Sequence, residues 1–284
     1  MEIRNLAHTD FDTLFRGFEK AFLDYEIHFE KDEVRSMLKR RGYDPELSFA
    51  AFDADEIVAF TFNGTGTFNG LYTAYDTGTG TAKEYRGKGI AKEIFEYSIP
   101  YLKEAGIEQY LLEVLQNNAK AISVYQKLGF TITREFDCFR QKRNDINCVK
   151  SNELDLPIEV SPVEVASITH ASGFSDFCPS WQNSLDSIVR AGADLVCLGA
   201  FAADELAGYC VFDPLTGDLS QIAVNRPFRR QKIASRLLAE MLKRTHSDII
   251  KVLNVVPSCQ SMKAFMNNSN LQPAGKQFEM ILTL

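Results

Sequence analysis

The feature that most constrains this 284-residue sequence is an internal repeat. The segment Tyr85-Arg-Gly-Lys-Gly-Ile-Ala91 aligns with Phe228-Arg-Arg-Gln-Lys-Ile-Ala234 at an offset of 143 residues, and the apolar positions that follow keep helical spacing in both copies. Further along, residues 118–125 align with residues 258–265 at an offset of 140 residues. Two aligned segments in the same order favour a duplication over a chance similarity. The repeat therefore restricts the chain to two copies of one fold.

Strands and helices alternate in the same order within each half. In the first half, the hydrophobic pattern predicts a strand at residues 72–81, a helix at 89–105 and a strand at 109–115. Pro100 is expected to kink or shorten that helix, because proline cannot donate a backbone hydrogen bond. This order of elements predicts an α/β fold of the mixed α+β kind, present twice.

The composition shift between the halves predicts where they separate. We expect one domain at residues 1–145 and a second at 157–284, joined by a polar linker at 146–156.

Composition and charge exclude several functional classes. With 45% hydrophobic and 24% charged residues, the chain is typical of a globular protein. A net charge of −7 argues against electrostatic binding of nucleic acid or anionic membranes. The four histidines lie far apart and the six cysteines show no C-x-x-C spacing, so we expect no metal site. Because the sequence shows no apolar signal core and no membrane-spanning run, we expect a cytoplasmic protein without a membrane partner.

A glycine-rich loop precedes the predicted helix at 89–105. A P-loop would need glycine where Ala82 stands and serine or threonine where Gly89 stands. A dinucleotide-binding fingerprint would need a small residue where Lys92 stands. Both of these phosphate-binding motifs are therefore absent, and a strand, a loop and an amphipathic helix remain.

The physical chemistry of this loop suits a pyrophosphate. The first amides of a helix have no internal acceptors, and the helix dipole favours an anion at that end. Gly87 and Gly89 allow the backbone to approach phosphates closely, and Arg86 and Lys88 add positive charge. A charged surface turn is the alternative that the loop by itself leaves open.

Two motifs together resemble the GNAT N-acetyltransferase superfamily. Its acetyl-CoA motif, Arg/Gln-x-x-Gly-x-Gly/Ala, is matched by Arg86-Gly-Lys-Gly-Ile-Ala91. Its next motif, Asn-x-x-Ala-x-x-hydrophobic-Tyr with a Gly-Phe ending, is matched by Asn118-Ala-Lys-Ala-Ile-Ser-Val-Tyr125 and by Gly129-Phe130. The resemblance covers residues 1–140, and a weaker version covers 157–284, as in tandem members such as mycothiol-synthase-like proteins. It implies two tandem GNAT-like domains, each with a twisted mixed, mostly antiparallel sheet flanked by helices.

The resemblance also implies how acetyl-CoA is held. In the family the fourth strand splays from the fifth, and the pantetheine arm of the cofactor lies in the slot like an added strand. A backbone amide there polarises the thioester carbonyl, and the loop amides hold the pyrophosphate. By position, the cofactor-binding residues implied are Thr79, Gly80, Thr81, Arg86, Gly87, Lys88, Gly89, Ile90, Ala91 and Asn118.

Two residues are candidates for the chemistry. Tyr125 matches the family's general acid, a phenol near the sulfur of CoA. Glu113, on the predicted fifth strand, resembles the base of ribosomal-protein N-terminal acetyltransferases. The alternatives are a structural aromatic residue at Tyr125 and an ordinary polar strand residue at Glu113. The amine is expected to attack directly in a ternary complex, with no covalent enzyme intermediate.

The second copy departs from the family at each chemical position. Lys232 replaces the second loop glycine, Phe265 replaces the acid tyrosine, and Leu253-Asn254-Val255 offers no carboxylate. We therefore expect this half to pack on the first half, to shape the substrate cleft or to form a homodimer.

These observations predict an acetyl-CoA-dependent N-acetyltransferase that acts on a primary amine. The acceptor is expected to be a small-molecule amine or a protein N-terminus, and no nucleic-acid partner is expected. The alternative is a non-catalytic acyl-CoA-binding sensor or interaction module, since the second copy already shows duplication without catalytic residues.

Overall fold

The computed structural model describes residues 1–24, 29–148 and 157–284. The strands are β1 (Glu2–Asn5), β2 (Phe49–Asp53), β3 (Glu56–Phe68), β4 (Leu71–Thr81), β5 (Gln109–Leu115), β6 (Thr131–Lys142), β7 (Ile158–Pro162), β8 (Val196–Ala202), β9 (Glu205–Phe212), β10 (Leu219–Val224), β11 (Ile249–Val255) and β12 (Gln272–Thr283). The helices are α1 (Phe11–Phe22), α2 (Lys31–Arg41), α3 (Ile90–Glu104), α4 (Ala119–Lys127), α5 (Val165–His170), α6 (Leu185–Ala191), α7 (Ile233–Arg244) and α8 (Gln260–Asn268). Within these three described ranges, none of the helices combines the length and the apolar character needed to cross a membrane.

The chain divides into two compact units, which we call unit 1 and unit 2. Unit 1 contains residues 1–133 and 278–284, and unit 2 contains residues 134–277. Most of β6 thus belongs to unit 2, whereas the end of β12 returns to unit 1. The exchange of these strand ends leaves no local signal in the sequence, because a strand's partner is chosen by tertiary pairing. Most of the predicted linker lies outside the described residues, and the predicted domain boundaries stay a prediction.

Unit 1 is built on a mixed sheet. Strands β1 to β4 pair antiparallel in chain order, and β4 then pairs parallel with β5. The parallel pairing joins residues 73–75 of β4 to residues 109–111 of β5 and ends there, although both strands continue. A fork therefore opens between the last residues of β4 and β5. The mixed sheet flanked by helices confirms the predicted fold class.

Helix α3 covers one face of the unit 1 sheet. Its buried side chains include Ile94, Phe95 and Leu102, which recur at helical spacing along one stripe. The Phe95 ring stacks on Tyr110 with centroids 5.0 Å apart, so the helix is anchored to β5. The expectation that Pro100 shortens the helix is wrong, because α3 runs through Pro100 to Glu104. Burial of the apolar stripe stabilises the helix despite the missing backbone donor.

Unit 2 contains a separate sheet of four strands. The strand order is β10-β9-β8-β7, and all three pairings are antiparallel. Strand β11 pairs antiparallel with residues 137–142 of β6. Between β10 and β11 the structure records a single parallel bridge, from Asp218 to Lys251. The two strands that correspond to β4 and β5 therefore also diverge.

Candidate active site

The edge of β4 that faces the fork is shaped by a β-bulge. Asn63 pairs with Asp76 and Phe62 pairs with Gly78, so that Thr77 is an extra residue in β4. The guanidinium of Arg41 donates to the Thr77 carbonyl at 2.8 Å and holds the bulge in place. Bulges redirect the side chains that follow them and are frequent beside active sites. Here the bulge lies where β4 separates from β5.

The loop before α3 has glycine at two positions with left-handed backbone. Gly87 and Gly89 have φ angles of 76° and 82°, in the left-handed region. A Cβ atom built on either residue meets no atom within 4 Å, so the space around the loop is open. Gly89 caps α3 and Ile90 begins it, which leaves the first helix amides at the loop. This arrangement fits a pyrophosphate, and the cation Lys88 lies 4.9 Å from the Tyr85 ring centroid.

Arg86 fastens the loop to the end of α1. Its guanidinium makes two hydrogen bonds to the carboxylate of Asp24, at 2.6 and 2.7 Å. It also donates to the carbonyls of Thr81 at 3.0 Å and Ala21 at 2.8 Å. The hydrogen bonds from Arg86 lower the pKa of Asp24. These contacts position the loop, and the predicted contribution of Arg86 to phosphate binding stays a prediction.

Helix α4 places the predicted acid at the fork. Asn118 caps this helix by accepting a hydrogen bond from the Ala121 amide at 3.2 Å. The half-buried Tyr125 ring contacts Phe130, with centroids 5.6 Å apart. Its hydroxyl donates to Asp76 Oδ2 at 3.4 Å. Tyr125 and β4 are thus brought together, and the role of Tyr125 as the general acid stays a prediction.

Asp76 is a site residue that the sequence reasoning missed. Its carboxylate accepts hydrogen bonds from the Gly78 amide and the Thr79 hydroxyl, each at 2.9 Å, as well as from Tyr125. Burial raises the pKa of Asp76 to about 6, because the loss of solvation outweighs these hydrogen bonds. The signal available in the sequence is a carboxylate in the interior of a predicted strand.

Glu113 lies on the opposite side of the fork, on β5. It is half-buried and interacts with Tyr75, the neighbour of Asp76 on β4. Burial, together with the charge of Glu113, raises the pKa of Tyr75 well above its ordinary value. The buried Tyr110 hydroxyl, also on β5, donates to the side-chain oxygen of Asn63 on β3. The fork therefore carries the phenol of Tyr125 and the carboxylates of Asp76 and Glu113.

The remaining predicted cofactor residues line β4 and the start of α3. Thr79 and Thr81 are half-buried, while Gly80 is buried and its position is crowded by Phe60. Ile90 packs into the core at 4% exposure, and the half-buried Ala91 follows it in α3. The structure thus brings the predicted cofactor residues to the fork and the loop, with Asn118 at the start of α4.

Unit 2 repeats the loop without its glycines. Arg230 and Lys232 have φ angles of 66° and 60°, the same left-handed conformation as the glycines of unit 1. Arg229 repeats the role of Arg86, since it donates to Asp176 at 2.8 Å and to the Val224 carbonyl at 3.0 Å. The duplication therefore preserves the shape of the loop, although the sequence preserves no acid or base.

Comparison with known proteins extends these observations. The model of the Acetyltransferase (GNAT) family matches residues 11–130 and, separately, residues 165–265. N-alpha-acetyltransferase 30 of Schizosaccharomyces pombe is 33% identical over 87 residues, which cover 30% of this chain and 58% of that protein. Mycothiol acetyltransferase of Amycolatopsis mediterranei is 29% identical over 105 residues, which cover 35% of each chain. The chain thus spans about half or less of the length of these relatives.

Solved structures show the same fold over the whole chain. A putative acetyltransferase from Pyrococcus horikoshii superimposes with a TM-score of 0.70 at 14% identity, covering 100% of this chain and 89% of that one. A tandem GNAT protein from the clavulanic acid biosynthesis pathway superimposes with a TM-score of 0.69 at 13% identity, covering 99% and 98%. At these identities the similarity establishes the fold alone.

Proposed function

Because this chain belongs to the acetyltransferase (GNAT) family and carries its fold twice in tandem, we propose that it is an acetyl-CoA-dependent N-acetyltransferase. Unit 1 is the catalytic unit, and it transfers the acetyl group to a primary amine. The observation that carries this proposal is the hydrogen bond between Tyr125 and Asp76, made at the fork of β4 and β5. The phenol of Tyr125, which is the proposed general acid, thus meets the carboxylate of Asp76 at the place where members of the family bind the thioester.

The residues of unit 1 fit acetyl-CoA at both ends of the molecule. The left-handed glycine pair and the first amides of α3 are suited to hold the pyrophosphate. The fork leaves backbone groups of β4 for the pantetheine arm, and no atom lies within 4 Å of a Cβ built at Gly78. When bound, acetyl-CoA supplies the activated acetyl group.

The side chains at the fork divide the proton transfers between them. Before the reaction, Asp76 positions the Tyr125 hydroxyl by accepting its hydrogen bond. As the thioester C–S bond breaks, that hydroxyl turns from Asp76 to the departing thiolate and donates its single proton to the sulfur. Glu113 accepts the proton of the attacking amine from the β5 side. The amine attacks directly in the ternary complex, so that no residue of the chain becomes acylated.

The pH dependence of kcat is expected to distinguish the two carboxylates. Ionised Asp76 accepts the Tyr125 hydrogen bond more strongly than the neutral acid does, and its pKa is about 6, so kcat should rise as the pH increases through about 6. Asp76→Asn should remove this rise, because the amide does not titrate. Glu113→Gln should lower kcat by about 100-fold or more and keep the rise near pH 6. Steady-state rates from pH 5 to 9 for the wild type and both variants measure this.

The opposite outcome would reassign the base. If Asp76→Asn reduces kcat more than Glu113→Gln does, and addition of a small carboxylate restores its rate, then Asp76 takes the amine proton itself.

The acceptor is proposed to be a small-molecule amine or a protein N-terminus. The N-alpha-acetyltransferase among the relatives supports a protein N-terminus as the acceptor. The mycothiol acetyltransferase supports a small-molecule acceptor. Acetyl-CoA-dependent release of thiol, followed over a panel of small amines and of peptides with free N-termini, tests the activity. Product whose mass is increased by one acetyl group would identify the acceptor class.

A non-catalytic acyl-CoA-binding module is the second candidate function. It is favoured by unit 2, where Phe265 stands in place of the acid Tyr125 and the segment Leu253-Asn254-Val255 offers no carboxylate in place of Glu113. Both functions predict binding of acetyl-CoA in titration calorimetry, but only the enzyme predicts an acetylated product. Tight binding without turnover over the whole panel would favour the module.

A further inference from the structure

Arg41, the last residue of α2, is a half-buried cation to which the proposed chemistry gives no role. Its Nη1 atom donates to the carbonyl oxygen of Thr77 at 2.8 Å, although 36 residues separate the two in the sequence. Thr77 is the extra residue of the β4 bulge and directly follows Asp76. The guanidinium therefore holds the backbone beside the carboxylate that accepts the hydrogen bond of Tyr125.

The end of α2 is held against β3, which fixes the starting point of the Arg41 side chain. Gly42 ends the helix with a left-handed φ of 79°, and its carbonyl accepts a hydrogen bond from the Thr65 amide at 2.9 Å. Tyr43 then forms a bridge with Gly64. A Cβ built on Gly64 would lie 2.0 Å from the Arg41 carbonyl oxygen, so this close approach needs glycine. Arg41 thus reaches the bulge from a fixed point beside the neighbouring strand.

The peptide unit between Thr77 and Gly78 connects Arg41 to Asp76. Its carbonyl accepts from Arg41 at 2.8 Å, and its amide, that of Gly78, donates to the Asp76 carboxylate at 2.9 Å. Because a peptide unit is planar, fixing the direction of the carbonyl also fixes the direction of the amide. A cation at the carbonyl further polarises the unit and strengthens the hydrogen bond that the amide donates. Arg41 therefore acts on Asp76 through one shared peptide.

The charge of Arg41 acts on Asp76 in the same direction. Burial raises the pKa of Asp76 to about 6, whereas the hydrogen bonds from Thr79, Gly78 and Tyr125 and the charge of Arg41 lower it. An oriented amide and a nearby cation both favour the ionised carboxylate, which is the stronger acceptor for the Tyr125 hydroxyl.

The other ionisable groups around Asp76 do not supply a positive charge of this kind. Burial raises the pKa of Tyr75 on β4 and of Tyr110 on β5 well above the ordinary value, so both phenols stay neutral where Asp76 titrates. Glu113 on β5 is an anion that acts on Tyr75. Helix α3 turns Ile94 and Phe95 toward the core, and its charged residues Lys92, Glu93 and Glu96 are exposed.

We propose that Arg41 is a positioning residue for the pair formed by Asp76 and Tyr125. Its guanidinium fixes the peptide between Thr77 and Gly78, and it thereby keeps the Asp76 carboxylate ionised and directed at the Tyr125 hydroxyl. The inference rests on the proposed function of unit 1, because it assigns Arg41 to the acid side of that reaction. Arg41 acts through Asp76 and transfers no proton of its own.

Titration of the Asp76 carboxyl group tests this role without any need for turnover. In the full-length protein labelled with carbon-13 at its aspartate carboxyl groups, the NMR signal that is missing from Asp76→Asn identifies the group. Its midpoint should lie near 6 in the wild type. In Arg41→Met the midpoint should rise by about half a pH unit or more, because the carboxylate loses an oriented amide and a nearby positive charge. An unchanged midpoint in Arg41→Met would overturn the proposal.

Three further variants make the titration specific. Arg35→Met is the matched control, because Arg35 is exposed on the same helix and its guanidinium lies 4.0 Å from the Phe11 ring centroid; the midpoint should not move. Arg41→Lys keeps the charge and one type of donor, so at least half of the rise should be reversed, and a midpoint as high as that of Arg41→Met would contradict the role of the charge. Arg41→Gln keeps only an amide donor and replaces Arg41→Met in the test if that variant does not fold.

Steady-state rates separate a failure of this inference from a failure of the proposed function. With an accepted amine, the rise of kcat with pH should shift in Arg41→Met by the same amount as the NMR midpoint. At the alkaline end of the profile kcat should still be about tenfold lower, because the Tyr125 hydroxyl is less well placed. A shifted midpoint with an unshifted rise of kcat would remove Arg41 from the reaction. If the wild type acetylates no amine, the proposed function fails, and the NMR midpoints still decide whether Arg41 controls Asp76.

Discussion

Replacement of Gly89 by glutamate is expected to weaken acetyl-CoA binding to unit 1 by about 100-fold or more. Two unit charges 4 Å apart repel by about 4 kcal/mol near a protein surface, and a tenfold loss in affinity needs about 1.4 kcal/mol. The new carboxylate would stand at the start of α3, in the open space assigned to the pyrophosphate. Calorimetric titration with acetyl-CoA, together with the KM for acetyl-CoA where turnover persists, measures the change.

Gly70 supplies the matched control for this substitution. It has a φ angle of 84° and open space around its Cβ position, so Gly70→Glu introduces the same charge and the same backbone strain. Because Gly70 lies in the turn between β3 and β4, acetyl-CoA affinity should not change. Wild-type affinity in the Gly89→Glu variant would show that the loop does not hold the cofactor.

Removal of the Tyr125 hydroxyl is expected to lower kcat by about 100-fold or more, which is the usual contribution of a positioned general acid. The ring of Tyr125→Phe keeps its contact with Phe130 at 5.6 Å, so the fold and the KM for acetyl-CoA should be preserved. Asp76 loses the hydrogen bond that it accepts from this hydroxyl. Rates of thiol release with an accepted amine, measured across pH, give the result.

Tyr101→Phe is the control for loss of a phenol. Tyr101 is 42% exposed on α3, and its hydroxyl lies 3.1 Å from that of Tyr97. Removing this hydroxyl should leave kcat unaltered. A kcat for Tyr125→Phe equal to that of the wild type at every pH would remove Tyr125 from the mechanism, while the family membership of the chain would stand.

Much of the fold could be predicted from local patterns. Helix α3 repeats its apolar residues at helical spacing, and burial of that stripe holds the helix although it contains Pro100. The crossing of β6 and β12 between the units could not be predicted, because a strand carries no record of which strand it will pair with.

The candidate site, like the fold, could be predicted only in part from the sequence. Gly87 and Gly89 could be identified because only a few residue types tolerate left-handed backbone. The partner of Arg86 could not be identified, since Asp24 is 62 residues away in the sequence. Asp76 could not be distinguished from an ordinary strand residue in the sequence. In the folded chain the bulge in β4 positions its carboxylate, and Tyr125 supplies its hydrogen-bond partner.

The sequence by itself determined the family, the duplication and the residue types at the loop, because motif spacing and backbone tolerance are properties of neighbouring residues. It also determined that unit 2 lacks the acid and the base of the family, since Phe265 and the carboxylate-free segment Leu253-Asn254-Val255 are visible without a structure. Only the tertiary structure decided the environment of each side chain. The pKa of Asp76 near 6 arises from its burial among groups that folding brings together from distant parts of the chain.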